Sequence, residues 1–133
     1  MSKKTNYKQA FNRAIKVLND RRLSSKLVDE AKSTLTSRAD RSEKIAKLKG
    51  KFQTLIRLVK EYTKGNYRQI SKKSMLYTVG VLIYFITPTD VIPDFIPVSG
   101  FVDDASLLIW LYNHLGKELK QFTAWESKQE KAH

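Results

Sequence analysis

Four aspartates, Asp90, Asp94, Asp103 and Asp104, fall within the proline-punctuated stretch TPTDVIPDFIPVSGFVDD at 87–104. Clustered carboxylates can hold a hard cation such as Mg²⁺ or Ca²⁺, or act as an acid–base pair if their surroundings push their pKa values apart. The spacing is not that of an EF-hand loop, whose ligands alternate and end in glutamate. Helix capping accounts for Asp90, Asp103 and Asp104. Asp94 is the one capping explains least, and a pairing with Arg or Lys from the basic half is its ordinary alternative. No metal ligand is assigned. The chain also lacks a Gly-x-Ser-x-Gly elbow, a P-loop, a dinucleotide fingerprint and a His-Glu-x-x-His pair. Of its histidines, His133 is terminal and His114 falls near the middle of a helix, as a structural residue rather than a base. With no cysteine, thiolate zinc sites, disulfides and cysteine nucleophiles are excluded. No catalytic residue, cofactor or small-molecule substrate is identified, and the balance leans away from an enzyme.

The elements that position these aspartates are two apolar arms. Residues 75–86, MLYTVGVLIYFI, are apolar on every face apart from Thr78 and Gly80, so this helix must be buried somewhere. Twelve residues cover only ~18 Å, short of a ~30 Å hydrocarbon core, which favours a core helix or a re-entrant segment over a simple span. Thr87-Pro88-Thr89-Asp90 has the form of a capping box, while Pro93 and Pro97 deny a long regular helix. Ser99-Gly100 leads into a last helix with Asp103 and Asp104 in its first turn, continued by Leu107, Leu108, Leu111 and Leu115. Pro93, Pro97 and Gly100 fix the backbone of the turn.

Read together, Asp90, Ile92, Pro93, Asp94, Ile96, Pro97, Gly100, Phe101, Asp103 and Asp104 form a pattern that resembles the YkvA-like family of small proteins of unknown function. The resemblance covers about residues 72–112. It implies a hairpin often assigned to the membrane and no established activity, and it says nothing about the N-terminal half.

That half is the basic one. Residues 1–74 carry 21 Lys/Arg against 6 Asp/Glu, whereas residues 75–116 carry no Lys or Arg. Such asymmetry points to a polyanion, either nucleic acid or an anionic bilayer. Tyr7, Ala10, Phe11, Ala14, Val17 and Leu18 share one helical stripe, with Thr5 as a cap. A break at Arg22–Ser25 gives way to a short helix, capped by a serine, with Leu27, Val28, Ala31 and Leu35. Asp40 with Glu43 reads as a capping pair for a third helix through Ile45, Leu48, Phe52, Leu55, Ile56, Val59 and Tyr62, stopped at Gly65-Asn66. A fourth starts near Ser71. Because Phe52 and Tyr62 lie on the apolar stripe, they read as packing residues rather than as platforms for bases.

The sequence therefore predicts an all-α bundle of four to five helices: a basic amphipathic segment, 1–70, and a hairpin with an acidic turn and C-terminal helix, 71–133, forming one folded unit. The leading functional expectation is a non-enzymatic protein on the cytoplasmic side of a membrane, peripheral or re-entrant. Lys44, Lys47, Lys51, Lys72 and Lys73 are its contacts to lipid or another polyanion. Lys72 and Lys73 before the first arm, with Lys117 and Lys120 after the second, fit the positive-inside rule. The charged start, MSKKTNYKQ, lacks the apolar region of a secretory signal. The alternatives are a cytoplasmic adaptor or nucleic-acid-binding module, and a carboxylate-based metal protein or enzyme.

Overall fold

A computed structural model describes residues 12–86 and 104–132 of the chain, and among these residues the regular structure is entirely helical. The order is α1 (12–19), α2 (Arg21–Arg41), α3 (Glu43–Lys47), α4 (Lys49–Thr63), α5 (Lys72–Ile86), α6 (Asp104–His114) and α7 (Gly116–Ala132). The all-α expectation holds. Thr5, the capping box at 87–90 and the proline turn lie outside the described residues.

The break after α1 comes earlier than the predicted one at Arg22–Ser25. Asp20 is extended, and its carboxylate accepts from the Arg22 and Leu23 amides at 2.9 and 3.3 Å. This satisfies backbone donors that a helix start leaves unpaired. Ser24 is buried instead of capping, its hydroxyl donating to the Val17 carbonyl across the break. The helix that follows is correspondingly long and runs through Asp40, so Asp40 does not open the next one. Ser42 does, with Oγ accepting from the Ile45 amide at 3.3 Å.

Gly65 ends α4 as predicted, with φ at +83°, a conformation that costs glycine nothing. The Asn66 and Tyr67 amides turn back to the Glu61 carbonyl at 3.0 and 3.2 Å, which directs Tyr67 into the core. Ser71 then caps α5, accepting from the Ser74 amide at 3.1 Å.

Helix α5 packs against α2, α4 and α6. Met75, Leu76, Val79, Val81, Leu82, Ile83 and Phe85 are all buried, and the Thr78 hydroxyl donates to the Ser74 carbonyl at 2.9 Å, so its polar group is satisfied inside the helix. Phe52 and Phe85 meet with ring centroids 4.3 Å apart. Near the C-terminal end of α5, Arg38 of α2 lies 4.7 Å over the Phe85 ring and donates to the Phe85 carbonyl at 3.4 Å. A cation is favourable at the negative end of the helix dipole. Helix α7 completes the core with Leu119 and Phe122, and Glu126 pairs with Arg57 of α4 at 2.8 Å.

Candidate polyanion-facing surface

All five lysines named from the sequence are exposed. Lys44 and Lys47 belong to α3, which packs on α2 and α4; Lys51 is in the first turn of α4, and Lys72 and Lys73 open α5. Two of them are held over aromatic rings. The Lys51 ammonium lies 4.5 Å from the centroid of Tyr112 on α6, and the Lys73 ammonium 5.8 Å from that of Tyr77. Both separations are within the range of cation–π attraction.

The second of these contacts borders a cluster built by the hairpin arms. Helix α6 turns Leu107, Leu108 and Leu111 into the core. It is apolar on its other faces too, so further apolar and aromatic side chains remain outside. Trp110 and His114, four residues apart, stack with centroids 5.0 Å apart; Tyr77 meets Trp110 at 6.1 Å and His114 at 5.8 Å. Beside Trp110, Ile109 is 43% exposed and is the one large apolar side chain so exposed among the described residues. No Asp or Glu occurs at 72–86 or 105–117. The described surface at the Lys72–Lys73 end of the hairpin thus combines cations, half-buried rings and an exposed aliphatic group. Chemically it has lysine donors for anionic oxygens, and amphipathic rings suited to a boundary between polar and apolar media.

A second concentration of positive charge escaped the sequence reading. Between α2 and α4 runs a groove in which a cavity of about 500 Å³ is lined by Lys32, Lys49, Arg57 and Lys60 among others. A neighbouring cavity of about 350 Å³ shares Lys32 and Lys60 and adds Arg21, Lys64 and Asp29. The signal was present in the spacing, since Lys49, Gln53, Arg57, Lys60 and Lys64 recur at three and four residues. What the sequence could not give was the partner helix that makes the other wall.

Asp104 opens α6, while Asp90, Ile92, Pro93, Asp94, Ile96, Pro97, Gly100, Phe101 and Asp103 lie outside the described residues. Among the described residues, no group of three or more His, Cys, Asp or Glu could hold a metal ion. One buried polar pair is notable elsewhere. The Tyr67 hydroxyl and the Glu118 Oε2 are both buried without a hydrogen-bond partner. Burial, and after it the Glu118 charge, raise the Tyr67 phenol above its ordinary value.

Among the described residues, no helix is long and apolar enough to cross a membrane. A family model described as a protein of unknown function, DUF1232, matches residues 75–110, which cover most of α5, the acidic turn and most of α6. The chain is similar to the Uncharacterized membrane protein YkvA of Bacillus subtilis (strain 168), with 32% identity over 72 residues that cover 54% of this chain and 68% of that protein. No solved structure matches the chain. With the family model falling on the hairpin and a relative matched over two thirds of its own length, the chain belongs to the YkvA-like family of proteins of unknown function.

Proposed function

We propose that this is a non-enzymatic helical protein that associates peripherally with an anionic membrane surface, on the cytoplasmic side, with its cations toward the lipid headgroups. The observation that carries the reading is the cationic and aromatic surface formed by Lys72, Lys73, Tyr77, Ile109, Trp110 and His114. Juxtamembrane lysines each contribute about 1 kcal/mol near an anionic bilayer, and tryptophan and tyrosine favour the headgroup level. The similar Bacillus protein's description as a membrane protein agrees with it.

The peripheral form is favoured over the re-entrant one by the burial of α5 within the protein, because a helix already enclosed by α2, α4 and α6 has little face left for lipid. The same enclosure supports a second reading, a self-contained bundle that needs no membrane. Vesicle binding separates the two. Replacing both Lys72 and Lys73 with Gln should weaken binding to phosphatidylserine vesicles by about tenfold or more, from two lysines at about 1 kcal/mol each. Unchanged vesicle affinity in a folded variant would remove this surface from the account.

A further inference from the structure

We infer that the α2–α4 groove is a second binding site, independent of the membrane reading, and that its ligand is the phosphodiester backbone of a single nucleic-acid strand. Both walls contribute charge: Arg21 and Lys32 from α2, Lys49 and Lys60 from α4, and Lys64 from its C-terminal cap. Among the described residues, Lys32, Lys49, Lys60 and Lys64 have no ion-pair partner. Arg57, by contrast, is occupied by Glu126 at 2.8 and 3.3 Å. Against this charge the groove presents, among the described residues, one carboxylate, Asp29. From Lys49 to Lys64 the α4 wall extends about 22 Å at the helical rise, room for several successive phosphates.

The floor decides between occupants. Val28, Leu35 and Ile56 are only 5%, 2% and 1% exposed, so they are already sealed. An acidic amphipathic helix needs an open apolar floor for its own apolar stripe, and an acyl chain needs one as well. The sealed aliphatic side chains leave little for either, because the apolar surface this groove exposes is small. It is also concave, which suits a strand better than a flat bilayer. Among the described residues no aromatic ring lines it, so these give bases nothing to stack on and recognise phosphates alone, independent of sequence.

The test is fluorescence anisotropy of a labelled single-stranded oligonucleotide of mixed sequence, with the full chain. If five phosphates are engaged, affinity should fall roughly a hundredfold between about 50 and about 200 mM salt. The double variant Lys32→Gln/Lys60→Gln should bind about tenfold more weakly at low salt and lose roughly one to one and a half units of salt slope. Lys72→Gln/Lys73→Gln should bind the strand as the parent does. Circular dichroism checks folding; should the double variant not fold, Lys32→Gln alone, at an exposed position, carries the test with half the change in slope. Absence of binding at low salt would overturn the inference. So would equal losses in the groove and hairpin variants, which would mean diffuse charge, or a groove variant that loses vesicles while keeping the strand.

Discussion

At the scale of single residues, the most exposed weakness of the fold is an internal one. Tyr67 brings its ring against Phe122 and Trp125, with centroids 5.1 and 5.2 Å away, but leaves its hydroxyl buried and unpaired. An unsatisfied buried hydroxyl costs about 1–3 kcal/mol, so Tyr67→Phe should leave stability unchanged or raise it by up to about that amount in urea unfolding. The same residue sets an alkaline limit. Its phenol is raised above the ordinary value by burial and by Glu118, so the folded state holds this proton more tightly than the unfolded chain. That contribution is fully present below the unfolded value, about 10, and is lost as pH rises through the higher folded value. The difference in stability between Tyr67→Phe and the parent should therefore widen above pH 10; parallel pH profiles would contradict it. Asp20 stabilises the fold by capping a helix. It accepts from two amides at the start of α2, and Asp20→Ala should cost about 1 kcal/mol.

At the scale of elements, α5 organises the protein. Leu82 is fully buried in it, and Leu82→Ala should destabilise by about 2–5 kcal/mol in chemical denaturation. The burial of this helix was legible from residues 75–86 because a segment apolar on every face has no alternative to enclosure. Its start at Ser71 and the stop at Gly65 were legible from cap chemistry. Elsewhere the local signals competed. Serines at 24 and 25 read as caps, yet Asp20 stands before a run that can continue helically through them. The buried positions Ser24, Leu27, Val28, Ala31 and Leu35 all fall on that one unbroken helix. Asp40 and Glu43 imitate a capping box, but Ser42 has the extended backbone a cap requires. Helix α7 was recognised only as a C-terminal helix; its core residues Leu119 and Phe122 are too sparse among charges to declare a buried face. Of the candidate surface, the lysines could be named from charge, whereas the Tyr77–Trp110–His114 cluster depends on how α5 and α6 pair.

At the scale of the molecule, the charge division in the sequence becomes a division of surfaces. Cations of the first 74 residues coat the α2–α4 groove and the starts of α3, α4 and α5, while the apolar arm α5 turns inward. The Arg57–Glu126 pair joins α4 to α7 across the bundle, but with Arg57 about half exposed its contribution is small; Glu126→Gln should cost no more than about 1 kcal/mol. Large-scale behaviour should accordingly be governed by salt.

Flotation of the purified protein with neutral and with anionic vesicles, at low and at high salt, tests the membrane reading most directly. The expected result is flotation with anionic vesicles at low salt, little with neutral ones, and release as salt screens the lysines. Flotation that survives high salt would contradict the peripheral form and place the hairpin in the bilayer. No flotation under any condition would contradict membrane association altogether.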